Sequence, residues 1–155
     1  VGERDAEEHE MDERVRQYLE RNHAAAMVTL RPDGRPHVAR VGVALVDGKL
    51  WSSGLPSRVR TGQLRRDPRS TLFVFDPAQP YTWVGLETDA TILDGPDVPE
   101  QSLRLFQVMQ QGMPKPPGSM LWNGEEKSEE EFVRIMADER RLIYEFEILR
   151  AYGGF

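Results

Sequence analysis

Residues 58–69 read Arg-Val-Arg-Thr-Gly-Gln-Leu-Arg-Arg-Asp-Pro-Arg, five arginines and one aspartate in twelve positions. The chain as a whole carries −6, so this +4 island leaves −10 on the other 143 residues. Guanidinium forks bind phosphate oxygens bidentately. The segment also enters a helix behind Pro56, where free N–H groups and the helix dipole favour an anion. Ser52, Ser53 and Thr61 put hydroxyl donors nearby in sequence. Two readings fit the island: a phosphate or polyanion site, or a solvated helix paired with the acidic N-terminus. A nucleic-acid surface fits poorly, because no aromatic is interleaved with the arginines and the net charge is negative.

Two further features could receive a ligand. Arg40 lies in an apolar strand pattern between Ala39 and Val41. A buried arginine is costly unless it is paired or holds a ligand; one that points outward carries no such cost. Val38, Gly42 and Ala44 share its face, and small residues there would let a flat ligand approach the backbone. Tyr81 and Trp83 fall on the polar face of a later strand, as a wall for a planar ring or as a packing contact.

The rest of the catalytic repertoire is thin. The chain has no Cys, which excludes disulfides, thiolate zinc sites and a cysteine nucleophile. It has no G-x-G-x-x-G, no P-loop, no G-x-S-x-G and no H-E-x-x-H. His9, His23 and His37 lack metal-ligand spacing, so no metal site is expected. No carboxylate pair sits in an apolar setting that would raise its pKa. If the protein is an enzyme, a bound cofactor is expected to carry its chemistry.

These residues need a scaffold. A chain of 155 residues, 39% hydrophobic, suits one domain with a real core. The expected division is a flexible acidic N-terminus over 1–10 and a single domain over 11–155. Met11, Val15, Tyr18 and Leu19 make one helical stripe that stops at Asn22. Strand patterns follow at 24–31, 35–46 and 49–53, separated by the turn signals Pro32-Asp33-Gly34 and Asp47-Gly48, and read as an antiparallel meander. A short helix spans 57–67, ended by Pro68. Strands at 70–76 and 81–93 follow, then a helix over 99–112. Ser128, with Glu131 three residues on, caps another helix to Ala137. Leu142, Tyr144, Phe146 and Ile148 alternate in a last strand. The long segment 112–127, rich in proline and apolar residues, reads as a lid or an interface. The expected fold is mainly β (α+β), a six-stranded antiparallel barrel or curled sheet flanked by helices. With no apolar run of membrane length, no basic-then-apolar leader and no cysteine, a cytoplasmic location is expected.

Taken in order, certain runs carry a family likeness. They are Met27-Val28-Thr29-Leu30, Asp33-Gly34-Arg35-Pro36-His37-Val38, Asp47-Gly48-Lys49-Leu50-Trp51-Ser52-Ser53, and Arg58-Val59-Arg60-Thr61. Leu64-Arg65-Arg66-Asp67-Pro68-Arg69 and Asp138-Glu139-Arg140-Arg141 complete the set, with a strand closing on Tyr152-Gly153. The chain from about residue 11 onward resembles the pyridoxamine 5′-phosphate oxidase-like, FMN-binding split β-barrel family, and within it the branch that uses the deazaflavin coenzyme F420. The resemblance implies a homodimeric split barrel with cofactor at the subunit interface. It implies that Arg58 and Arg60 hold the cofactor phosphate, with Thr61 after them and Ser52 and Ser53 close to ring or phosphate. It places His37, Val38 and Arg40 along the ring, and Tyr81 near an aromatic that the partner subunit supplies. Two departures stand out: Thr88, where the family usually has Gly, and the unmatched segment 112–127.

The function implied is hydride transfer between F420 and an unsaturated small-molecule substrate. The alternatives are an FMN-dependent, pyridoxine-phosphate-oxidase-like enzyme, which needs a second phosphate site, and a non-catalytic flavin or F420 carrier. No catalytic residue is singled out; Tyr81, His37, Tyr144 and solvent are all candidate proton donors.

Overall fold

The computed structural model describes residues 13–155. The acidic terminus over 1–10 and the helix position of Met11 lie outside the described residues. Helix α1 (residues 13–21) buries Val15, Tyr18 and Leu19 on one stripe. It stops at Asn22, whose side-chain amide donates to the Tyr18 carbonyl at 3.0 Å.

The elements that follow are β1 (Ala24–Leu30), β2 (Pro36–Gly42), β3 (Ala44–Val46), β4 (Lys49–Gly54), α2 (Val59–Arg66), β5 (Arg69–Asp76) and β6 (Gln79–Leu93). After them come α3 (Val98–Met109), β7 (Ser119–Trp122), β8 (Glu125–Ser128), α4 (Glu129–Asp138) and β9 (Leu142–Gly154). The main sheet is wholly antiparallel, in the order β2-β1-β5-β6-β9-β4-β3. It has seven strands, not the six expected.

The extra strand arises where one long strand was expected over 35–46. Val43 packs in the core inside the curl and Ala44 in the cluster outside it, so side-chain alternation runs on through this point and it is the backbone pairing that changes. The ladder is interrupted at Val43, whose N–H donates to the His23 carbonyl at 2.9 Å. β2 and β3 thus become the two opposite edges of the sheet, and no meander forms. The sheet curls to bring those edges together: the Ser52 hydroxyl of β4 donates to the Gly42 carbonyl at the end of β2, at 2.7 Å.

Inside the curl, Met27, Leu72, Val74, Leu86, Tyr144 and Phe146 pack with the α1 stripe. Outside it, Trp51 and Ile143 pack with Val98 and Leu105 of α3. A third cluster joins Leu103 to Met120, Phe132 and Met136. This cluster corrects one of the two expectations for 112–127, that of a lid. Met120 is fully buried, and Gln110 holds Leu121 by two hydrogen bonds of 2.9 and 3.0 Å. The segment carries a β7–β8 hairpin packed on α3 and α4, not a free lid. The Ser128 cap forms as expected, its hydroxyl accepting from the Glu131 N–H at 3.1 Å.

Candidate functional site

The five arginines of the island part company in three dimensions. Arg66 donates to the Leu30 carbonyl. Arg65 lies 3.5 Å from Asp94, and Arg69 lies 2.8 Å from Asp67. Asp67 also accepts from the Arg69 backbone N–H at 3.1 Å. These bonds hold its carboxyl down at about 2, against an ordinary value of 3.8; the Arg69 side chain is the first cause and its N–H the second. The run Leu64-Arg65-Arg66-Asp67-Pro68-Arg69 is therefore a structural joint that ends α2 and starts β5. Arg58 and Arg60 differ: among the described residues neither has a carboxylate partner. Arg58 is exposed at the N-cap of α2, where its side chain makes no cap bond. Arg60 lies over the Tyr144 ring at 5.9 Å, and its Nε is buried without a partner.

Tyr144 sets this corner. It is fully buried on β9, opposite Ser52 of β4. Its hydroxyl bonds that of Thr61, which in turn donates to the Leu55 carbonyl at 2.7 Å. The first turn of α2 is thereby tied to the sheet. Gly54 passes so close to the Tyr144 ring that a Cβ there would overlap it. Two hydroxyls expected as ligand donors, those of Ser52 and Thr61, are thus engaged within the chain. Ser53 is not: its hydroxyl is buried and unpartnered. In the sequence Tyr144 stands out only as one of four alternating residues of the last strand and as a candidate proton donor. Its burial and its bond to Thr61 make it a positioning residue.

β2 carries the next group. Val38 and Arg40 point outward and are exposed, so Arg40 needs no buried partner. At Gly42 and Ala44 this face is covered by α3: Ala44 is fully buried in the cluster with Leu105 and Met109, and Met109 crowds Gly42. His37 faces the other way, paired with Thr29, and its Nδ1 is buried without a partner. This strand meets the corner at one point, the bond from Ser52 to Gly42.

Tyr81 stands apart and is 92% exposed. Ile92, the pairing partner of Tyr144, lies eleven residues further along β6, up to roughly 36 Å at about 3.3 Å per residue. One chain does not bring Tyr81 to the arginine pair. Beside it runs an apolar outer face that sequence reading saw only in part. Trp83 stacks on Phe73 at 5.3 Å and meets Tyr152 edge-on at 6.2 Å. Phe73 and Tyr152 are 42% and 41% exposed.

The family departure at Thr88 has an internal explanation. Thr88 is buried at a bulge of β6 against β9, and its hydroxyl lies 2.7 Å from that of Ser70. A cleft of about 500 Å³ floored by Leu50, Phe146 and Ile148 contains none of the expected site residues. Among the described residues no group of three or more His, Asp or Glu could hold a metal, and no helix is long and apolar enough to cross a membrane.

Comparison with known proteins agrees with this architecture. The family profile described as pyridoxamine 5′-phosphate oxidase matches residues 11–144. No curated protein matches the chain. A conserved hypothetical protein from Mycobacterium tuberculosis superposes with a TM-score of 0.68 at 22% identity, over 91% of this chain and 82% of its own. An F420 reductase superposes with a TM-score of 0.62 at 19% identity, over 88% and 94%. An FAD-binding protein from Mesorhizobium loti does so with a TM-score of 0.57 at 17% identity, over 88% of each chain. At these identities the likeness is one of fold.

Proposed function

The chain belongs to the pyridoxamine 5′-phosphate oxidase family, and from that membership we propose that it is an F420-dependent oxidoreductase acting on a planar, unsaturated small molecule. The observation that carries the reading is the pair Arg58 and Arg60, which among the described residues stand unpaired beside three arginines that the fold has already used. The buried, unpartnered Arg60 Nε and Ser53 hydroxyl suit a phosphate, which offers acceptors to both. The fold neighbours that bear the words F420 reductase and FAD-binding support a flavin-like cofactor.

When bound, F420 supplies hydride transfer at its ring. The chain supplies the rest. Arg58 and Arg60 hold the phosphate by charge-assisted hydrogen bonds. Ser53 adds a neutral donor. Thr61 and Tyr144 fix the start of α2, so the arginines are held in place before the ligand arrives. Val38, Arg40 and His37 on β2 offer an edge along which a ring can lie. Tyr144 gives no proton, because its hydroxyl is buried and bonded to Thr61; the proton comes from solvent or from the substrate side.

The functional unit in this reading is a homodimer built on the outer face of Val38, Phe73, Trp83 and Tyr152. Exposed apolar area of this kind marks an interaction surface. A second copy seated there walls the open site and brings Tyr81 to it.

The test is a fluorescence-quench titration of the full chain with F420 and, in parallel, FMN. Saturable F420 binding with FMN much weaker is expected. Arg60→Gln should weaken it roughly 10- to 100-fold, the loss of hydrogen bonds to a charged group, with an unchanged far-UV spectrum. Preference for FMN moves the assignment to an FMN oxidase; binding of neither by a folded dimer overturns the flavin reading.

A further inference from the structure

A second cationic site is assembled from residues far apart in sequence. A cleft of about 440 Å³ opens where the end of α2, the start of α3 and the end of α4 meet. Three cationic side chains line it, Arg65, Arg140 and Arg141, against one carboxylate, Asp94. In a chain of net charge −6 such a concentration of positive charge stands out. Pro56 and Pro96 form part of its wall, and their fixed φ angles stiffen it.

Arg140 is the first informative residue. It follows the C-cap of α4 with φ +55°, the left-handed conformation that favours glycine. The motif around it is complete: Arg140 N–H donates to the Ala137 carbonyl and Arg141 N–H to the Met136 carbonyl, both at 3.1 Å. The α4 carbonyls need nothing from the Arg140 side chain, and glycine would make the same turn with less strain. Among the described residues Arg140 has no ion-pair partner.

Arg141 is the second. Its side chain is 15% exposed and lies over the Trp122 ring at 4.9 Å. One guanidinium nitrogen reaches Glu139 at 3.3 Å, while Nε is buried and unpartnered. A guanidinium oriented by an aromatic face, with donor capacity unused, is suited to an oxyanion.

We propose that this cleft is an anion-binding site, separate from Arg58 and Arg60, that takes the carboxylate or phosphate end of a small molecule. Arg140 and Arg141 make the charge-assisted contacts, and Arg65 turns from Asp94 to share them. The site stands whether or not the protein uses a flavin.

Trp122 is a built-in reporter. The full chain, at constant ionic strength, is titrated with citrate in one arm and inorganic phosphate in the other, and the Trp122 indole N–H signal is followed by NMR. A saturable shift is expected in at least one arm; citrate alone identifies a carboxylate site, phosphate alone a phosphate site. Arg140→Gly should weaken it at least tenfold with a melting temperature equal to or above that of the parent, because the left-handed turn is relieved. Arg141→Lys, which keeps the charge and loses the fork, should also weaken it. Arg60→Gln should leave it unchanged, which separates this site from the cofactor site. A shift no larger than chloride produces, or a shift that survives Arg140→Gly, overturns the proposal. So does a fall in melting temperature on Arg140→Gly, because the side chain would then serve the fold.

Discussion

The contact of Gly54 with the Tyr144 ring shows how little freedom the site corner has. A methyl group at position 54 overlaps a ring that is fully buried and tied by its hydroxyl to Thr61. Either the ring or β4 must move, and overpacking of this kind costs about 1–3 kcal/mol. Gly54→Ala should therefore lower the unfolding free energy by that amount, read as a lower urea midpoint, and weaken cofactor binding as the start of α2 shifts. An unchanged midpoint would mean that the corner has slack. Arg58 and Arg60 belong to the same scale. Their residue type and spacing were visible in the sequence; their lack of partners was not, because Arg65, Arg66 and Arg69 have the same composition and find partners in Asp94, Leu30 and Asp67.

Elements were legible wherever the signal was local. The turn at Asp47-Gly48, with φ of +51° and +78°, and the cap at Ser128 rest on a few adjacent residues, and both form as expected. Asn123-Gly124 has the same two φ angles and closes the β7–β8 hairpin. The same two-residue turn signal stands within the segment expected to be a lid or an interface. At the joint between α2 and β5, the depressed Asp67 carboxyl makes a pH prediction. A carboxyl depressed in the folded state stabilises fully above its ordinary value near 3.8, and the contribution is lost as pH falls through about 2. An NMR titration of the Asp67 side-chain carbon should give a midpoint near 2. In an Arg69→Gln variant the midpoint should move back toward the ordinary value, since the Arg69 side chain is the first cause of the shift. A midpoint unmoved by that change would remove the ion pair as the explanation.

Across the whole molecule, the outer face of Phe73, Trp83 and Tyr152 sits on one side of a sheet whose other side is the core. Placing a charge in the middle of it leaves the core untouched. If the proposed homodimer forms on this face, Phe73→Glu should leave a folded monomer by light scattering. Cofactor affinity should drop with it, because a partner then no longer walls the site. A dimer that persists, or a monomer that binds cofactor as well as the parent, would move the interface elsewhere.

The sequence by itself determined what nearest neighbours can determine: period-2 and helical patterns, two-residue turns, a capped helix, an arginine-rich helix entrance and the family likeness built from them. Only the tertiary structure decided matters that depend on residues distant along the chain. The interruption at Val43, whose N–H goes to the His23 carbonyl, separates β2 from β3 and leaves them at opposite edges of the sheet. The freedom of Arg58 and Arg60 follows from which carboxylates lie in reach. The gathering of Arg65 with Arg140 and Arg141 follows from the meeting of three helix ends. Hydrogen bonding and charge pairing act over a few ångströms in space, so positions that far apart in sequence acquire a common chemistry only when the chain closes on itself.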